Sequence, residues 1–344
     1  MISWLSDPGF LAGLFAGAAA TLVILVGSIS FLILSRDHYG LDHWKLNVQL
    51  PVRSMWMNMG YWRSSEEFPQ ACRAYLHQIL ATADILTGPD SLRSIAILDV
   101  GIGCGDQTRA VIESIGSQSP RLPASLAYVG ITINQTQQRL ALRKWHSEPV
   151  KSRSGGMKLD SFHLFCADAS KPHAWSEEIQ SALNKFNEPK QCTRKWLLAS
   201  DCLYHFSPSR QPIWQHAARN LGMNFMGSDL CLSETATLRQ TIVARVIGVL
   251  MGCPWNAFLT EEDYREQLVA SGFERASIII NDISDDVFPG LVAFLEKQDK
   301  ALAESGISLG PGFRLARRVF GWFAASSVIK AVTVVAKLPK SKDD

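Results

Sequence analysis

The run Ile-Leu-Asp-Val-Gly-Ile-Gly-Cys-Gly, residues 97–105, has the clearest capacity for chemistry in this sequence. A short apolar stretch contains Asp99, and glycines follow at 101, 103 and 105 before a helical pattern begins. Glycine lets a backbone turn sharply and approach a ligand closely. The free amides and partial positive charge of a helix N-terminus favour a carboxylate or a phosphate. The run therefore predicts a strand–loop–helix ligand site, with a plain tight turn as the structural alternative.

Two nucleotide-binding motifs do not fit this run. A Walker loop needs Gly-Lys-Ser/Thr, which is absent, and a dinucleotide fingerprint needs glycine at position 106, where the chain has Asp106. No two of the seven cysteines are separated by only two residues, so a zinc site of paired thiolates is not predicted. The histidines show no metal-ligand spacing either, and we expect no metal.

Residues 97–105 resemble the first motif of class I S-adenosylmethionine-dependent methyltransferases at every position. Further segments are similar to motifs of the subgroup that contains γ-tocopherol methyltransferases and cyclopropane-fatty-acid synthases. In chain order these segments are Met57–Trp62, Tyr128–Gln137, Phe165–Ala169, Leu198–Phe206 and Val334–Lys337. The resemblance extends over about residues 50–338. The chain is also similar to fungal small-molecule methyltransferases of this subgroup, which suggests a role in secondary metabolism.

The resemblance implies S-adenosyl-L-methionine as the cofactor and assigns roles to individual residues. Asp99 would hold the glycine loop or, through water, the cofactor's ammonium group. The remaining residues would each contact one part of the cofactor. They are Gly101, Gly103 and Gly105 for the methionine carboxylate and ribose, Thr132 and Gln137 for the ribose hydroxyls, Asp168 with Ala169 for the adenine amino group, and Tyr61 for the methionine carboxylate. Each also has a purely structural interpretation as a cap, loop or packing residue.

Methyl transfer from a sulfonium needs a positioned nucleophile, and a base helps where the nucleophile is a hydroxyl, phenol or enol. His205 is our candidate for that base, because it follows the fourth predicted strand and titrates near neutrality. Tyr204 beside it stands where the relatives often have Glu, which argues against a bicarbonate site of the cyclopropane type. Asp201 would orient His205 or touch the cofactor. A packing or capping role for His205 stays open.

The elements that must position these residues alternate between apolar strands and helices. We predict strands over 94–100, 127–133, 162–167, 195–200, 228–234, 273–281 and 329–337, and an N-terminal helix over 70–86. This order predicts an α/β fold, a seven-stranded, mostly parallel Rossmann-like methyltransferase sheet with helices on both faces. The catalytic domain would cover 91–338, with helical inserts near 235–262 and 285–327, after a connector and helical arm over 36–90.

Residues 8–35 contain no charged side chain and no histidine. The segment is long enough to form a transmembrane helix. Basic residues follow it, so we expect a single-pass protein with a cytoplasmic catalytic domain, by default in the endoplasmic reticulum. An anchor suggests a lipophilic acceptor and membrane lipid as a partner. The segments 242–253 and 313–323 are apolar enough to form a lid over such an acceptor.

We therefore predict S-adenosylmethionine-dependent O- or C-methylation of a lipophilic small molecule at a membrane surface. Cyclopropane-type or C-methylation of an unsaturated acyl lipid is the enzymatic alternative, and a non-catalytic cofactor-binding membrane scaffold is the alternative of another class. With 34 basic and 32 acidic residues, the net charge of +2 excludes a dedicated nucleic-acid binder. A hydrophobic content of 47% excludes global disorder. The oligomeric state is left open.

Overall fold

The computed structural model describes residues 21, 54–86, 94–116, 125–147, 158–187 and 194–339. Its strands form one eight-stranded sheet in the order β3-β2-β1-β4-β5-β8-β7, with β6 paired to β5. The strands are β1 (Ile95–Val100), β2 (Ser125–Thr132), β3 (Lys158–Cys166), β4 (Arg194–Ser200), β5 (Asn224–Leu232), β6 (Leu259–Thr260), β7 (Ile279–Asp282) and β8 (Ile329–Ala336). Only β8 runs antiparallel to its neighbours β5 and β7.

Helices cover both faces of this sheet. They are α1 (Phe68–Thr82), α2 (Asp106–Gly116), α3 (Gln135–Ser147), α4 (Glu177–Asn184), α5 (Gln211–Gln215, continued by a π-helix over His216–Asn220), α6 (Leu238–Leu250), α7 (Glu261–Ser271), α8 (Ser284–Glu304) and α9 (Pro311–Ser326). Both faces of β1 and β2 are buried along their whole length. That burial explains why these strands are nearly continuous apolar runs rather than alternating ones.

The strand order reverses at β1, which lies between β2 and β4. The loops that follow β1 and β4 therefore leave the sheet toward opposite faces and open a crevice between them. In open α/β sheets, ligands bind in such a crevice outside the carboxyl ends of the strands. The fold thus places the glycine loop after β1 and the Asp201–His205 segment after β4 beside one crevice.

The predicted mostly parallel α/β sheet is confirmed, with eight strands instead of seven, and three of the predicted strands differ in their bounds by more than two residues. Strand β3 begins at Lys158 rather than 162. Strand β5 begins at Asn224 rather than 228, because Gly227 interrupts the apolar pattern without ending the strand. A Cβ at Gly227 would lie 2.4 Å from the carbonyl oxygen of Ala199, so the glycine permits close approach of β4. The predicted strand over 273–281 is a 3₁₀ turn followed by the short, largely exposed edge strand β7.

The predicted single-pass membrane topology is wrong. Across the part of the chain that the structure describes, none of the helices combines the length and the apolar character that crossing a bilayer requires. Residues 8–35 lie outside the described residues, apart from the exposed Thr21. The prediction rested on the lack of charge over that stretch. The endoplasmic-reticulum membrane and the cytoplasmic orientation that depended on it are withdrawn.

Candidate active site

A cavity of about 420 Å³ lies at the carboxyl ends of β1, β2 and β4. Its lining includes the loop after β1 and residues at the ends of β2, β3 and β4, several of them polar; we call these residues the polar chamber. It also includes apolar side chains of helices α1, α8 and α9, which we call the apolar chamber: Phe68, Leu291, Leu295, Phe313, Ala316 and Phe320. The two names refer to sets of residues that line one cavity.

The glycine loop forms part of the polar chamber. Gly101 and Gly103 line the cavity in left-handed backbone conformations, with φ of +82° and +55°. Gly105 also has a positive φ, but it lines a separate cavity beside Arg109 and Lys144. Gly105 lies against Ala141 of α3 and does not line the first cavity.

Asp99 lies beneath this loop and does not line the cavity. Its side chain is fully buried and accepts hydrogen bonds from Gln107 Nε2 at 2.8 Å and the Tyr128 hydroxyl at 2.6 Å. Burial raises the pKa of Asp99 to about 7, although these two hydrogen bonds oppose the shift. Asp99 therefore ties the first turn of α2 to β2 and so supports the loop from below.

Two pairs of residues at the ends of β2 and β3 line the cavity. Thr132 Oγ1 donates to Gln137 Oε1 at 2.6 Å, and both residues line the cavity. Asp168 and Ala169 line it as well. Burial alone would raise the pKa of Asp168, but hydrogen bonds from Ser170 and Lys171 hold it below its usual range. Asp168 is therefore an ionised hydrogen-bond acceptor at neutral pH.

The segment after β4 places Asp201, Tyr204 and His205 on the cavity wall. Asp201 has a φ of +57°, which is uncommon for a residue other than glycine. Its Oδ1 accepts from the Tyr204 hydroxyl at 2.8 Å, and its Oδ2 accepts from the Met59 amide at 2.8 Å. Burial raises the pKa of Asp201 to about 7, against the hydrogen bonds from Tyr204 and Met59. The carboxyl group thus faces Tyr204 and Met59, and no described hydrogen bond joins it to His205.

His205 follows Tyr204 in a 3₁₀ turn over Leu203–His205. Its Nδ1 lies 3.6 Å from Sγ of Cys253, the third residue after the end of α6. Burial raises the pKa of the Cys253 thiol to about 12, so this neighbour is a neutral thiol at neutral pH. The ring centroids of Tyr204 and His205 are 4.4 Å apart.

Tyr61 is not among the residues that line the cavity. Its hydroxyl donates to Asp286 Oδ2 at 2.7 Å, in the first turn of α8, and the adjacent Trp62 stacks on Phe294. The pair fastens the N-terminal arm to α8. The residues just before it line the cavity, and none of them was named as a site residue from the sequence, because an irregular segment has no periodicity. They are Met55, Trp56, Met57, Asn58 and Met59.

The two apolar segments that were expected to form a lid differ in their placement. In α9, Phe313 and Phe320 line the cavity, whereas Phe323 is buried against Phe288. In the segment 242–253, Gly252 lines the cavity, and most of the large apolar side chains of α6 are exposed. Among the described residues, no group of three or more His, Cys, Asp or Glu is placed to hold a metal ion.

Comparison with known proteins identifies the fold. No protein-family model matches the sequence, and no curated protein matches it. A solved structure of the (4+2) cyclase SpnF is 17% identical, with a TM-score of 0.55, over 88% of this chain and 95% of that one. The cyclopropane synthase MmaA2 of Mycobacterium tuberculosis is 14% identical, with a TM-score of 0.55, over 89% and 95%. The mycolic acid cyclopropane synthase CmaA1, solved with S-adenosylhomocysteine, is 12% identical, with a TM-score of 0.57, over 87% and 94%.

The chain therefore has the fold of the class I S-adenosylmethionine-dependent methyltransferases. At these identities the likeness establishes the fold alone. SpnF, named as a cyclase, has the same fold, so the reaction must be argued from the site.

Proposed function

We propose that this chain is an S-adenosylmethionine-dependent methyltransferase that acts on a lipophilic small molecule. The observation that carries the proposal is that one cavity is lined both by polar residues at the strand ends and by apolar side chains of the helices. The polar residues include Thr132, Gln137 and Asp168 beside the glycine loop, and the apolar side chains include Phe68 and Phe313. Asp201, Tyr204 and His205 also line the cavity.

The residues of the polar chamber fit the proposed cofactor. The loop amides and the N-terminus of α2 suit a carboxylate. Glycine at 101 lets the loop pack closely on Cys202, because a Cβ there would lie 2.8 Å from Cys202 Sγ. Asp168, held ionised by Ser170 and Lys171, can accept from an adenine amino group. Thr132 and Gln137 offer hydroxyl and amide groups to a ribose.

S-adenosylmethionine, when bound, supplies a methyl group on a sulfonium that is already activated for transfer. The task of the chain is to hold the acceptor in line and to exclude water. The apolar chamber would bind the acceptor by burial of apolar area, at about 25 cal/mol per Å². His205 would take a proton from a hydroxyl, phenol or enol. We assign this to Nε2, because Nδ1 contacts the Cys253 thiol.

The first test is a calorimetric titration of the full chain with S-adenosylmethionine, followed by comparison of small-molecule extracts from cells with and without the gene. We expect saturable binding and a product heavier than its precursor by one methylene. The position of the added carbon, by NMR, separates O- or C-methylation from cyclopropanation. Binding without any such product would favour a non-catalytic cofactor-binding protein, and absence of binding would contradict the proposal.

His205→Ala is expected to leave cofactor affinity unchanged and to slow methyl transfer by roughly 10²- to 10⁴-fold, the usual contribution of a positioned base. His146→Ala, at an exposed position near the end of α3, is the matched control and should change neither quantity. The measurements are the dissociation constant and single-turnover transfer with the true acceptor. Unchanged turnover in the His205 variant would exclude it as the base.

A further inference from the structure

Asp201 lines the cavity between the glycine loop and the candidate base. It directly follows β4, which pairs with β1, the strand before the glycine loop. The next residue, Cys202, lies against Gly101, where a Cβ would be 2.8 Å from its Sγ. Tyr204 and His205 come just after it and also line the cavity.

We propose, on the basis of the proposed function, that Asp201 supplies the negative charge by which the site distinguishes the positively charged sulfonium cofactor from its neutral thioether product. The transferred methyl group carries the sulfonium's positive charge out of the cofactor. The interaction of the cofactor with a carboxylate on the cavity wall is therefore strong before transfer and is lost after it.

The carboxylate of Asp201 is held in place from several sides. Tyr204 and Met59 each donate a hydrogen bond to a different carboxyl oxygen, both at 2.8 Å. The Asp201 amide donates to Ser228, to the hydroxyl at 3.0 Å and the carbonyl at 3.3 Å. These contacts hold the backbone in its left-handed conformation. Strained backbone that the surroundings impose is common at functional positions.

The groups that face Asp201 do not neutralise it. On α1 they are Cys72 and Tyr75, on the segment after β4 they are Cys202 and Tyr204, and on β5 the nearby acid is Asp229. Burial raises the pKa values of these thiols and phenols well above their usual range, so they are uncharged at neutral pH. Asp229 is paired with Arg210 and further raises the pKa of Asp201.

The consequence is a pH-dependent selectivity. With its pKa near 7, the Asp201 carboxyl is largely protonated at pH 6 and largely ionised at pH 8. A cation in the cavity binds the ionised form more tightly, so its affinity rises as the pH rises through 7. A neutral thioether gains nothing from this ionisation. Titrations of the amino-acid part, which the two ligands share, largely cancel when their affinities are compared as a ratio.

The experiment measures dissociation constants of S-adenosylmethionine and S-adenosylhomocysteine by calorimetry at pH 6, 7 and 8. We expect the affinity ratio in favour of the cation to rise by about tenfold from pH 6 to pH 8 in the natural protein. Asp201→Asn should give a ratio that does not change with pH. Tyr204→Phe removes a hydrogen bond that stabilises the ionised carboxylate, so the same rise should occur at higher pH.

Asp168→Asn is the matched control, because it removes another cavity carboxylate, one that is already ionised over this pH range. It should weaken both ligands and leave the pH dependence of their ratio intact. If both ligands bind the natural protein and the ratio is independent of pH, or if Asp201→Asn keeps the dependence, the inference is overturned while the proposed function stands. If neither ligand binds, both are overturned.

Discussion

Replacing Gly105 with alanine is expected to weaken S-adenosylmethionine binding by roughly 100-fold, the scale of losing one hydrogen bond to a charged group. Gly105 has a φ of +88°, and a Cβ there would lie 2.7 Å from the Cβ and 2.8 Å from the Cα of Ala141 in α3. The backbone of a packed helix cannot give way as a flexible side chain can. The loop that contains Gly101 and Gly103 must therefore shift. Calorimetric titration measures the loss.

Gly222→Ala is the matched control for this substitution. Its φ is +61°, and a Cβ there would meet nothing within 4 Å. It should lower the free energy of unfolding by only about 1–2 kcal/mol, the cost of a left-handed residue, with unchanged cofactor affinity. Cofactor affinity in Gly105→Ala equal to that of Gly222→Ala would show that the loop does not position the cofactor.

Arg210→Met is expected to lower the free energy of unfolding by about 3–5 kcal/mol, because it leaves a buried charge without its partner. Arg210 Nη1 lies 2.7 Å from Asp229 Oδ2, and the two side chains are 3% and 0% exposed. The guanidinium also donates to the Ala257 carbonyl, and the Tyr264 hydroxyl donates to the same carboxylate. Chemical denaturation at pH 7 measures the loss.

The pH dependence of that loss provides a second readout. Burial raises the pKa of Asp229, and the positive charge of Arg210 opposes this shift. Removal of Arg210 should therefore raise the pKa of Asp229 further. A carboxyl whose folded-state pKa is raised destabilises the fold as the pH rises, and the loss should therefore shrink toward acid pH. Arg314→Met, which breaks an exposed pair with Asp299, should leave stability close to unchanged. Equal effects of the two substitutions would contradict this account.

Much of the sheet was predictable because its strands are buried on both faces and are read as continuous apolar runs. Strands β1 and β4 match their predicted ranges to within one residue at each end. The two-residue β6 has too few residues for any periodicity, and β7 is an exposed edge strand without an apolar pattern. The predicted β5 began too late because Gly227 was interpreted as the end of the preceding loop. In the structure this glycine lies within the strand and allows close contact with β4.

The candidate site was predictable where a motif follows a strand, and not where contacts come from distant parts of the chain. Four of the predicted residues lie at the ends of four different strands and line one cavity: Gly101, Thr132, Asp168 and His205. The hydrogen bond of Tyr61 could not be predicted, because its partner Asp286 is 225 positions away in the sequence.

The segment Met55–Met59 lines the cavity and is held there by main-chain hydrogen bonds, which matters for redesign of the cavity. Its main-chain amides at Met55 and Met59 donate to Asp106 and Asp201 at 2.9 and 2.8 Å. Because these two anchors use main-chain amides, they remain when a side chain of the segment is exchanged. Met57 also accepts a hydrogen bond from Gln137 Nε2 at its Sδ, at 3.5 Å. Substitutions at Met57 should therefore alter the cavity next to the residues proposed to hold the cofactor, while the main chain of the segment stays anchored.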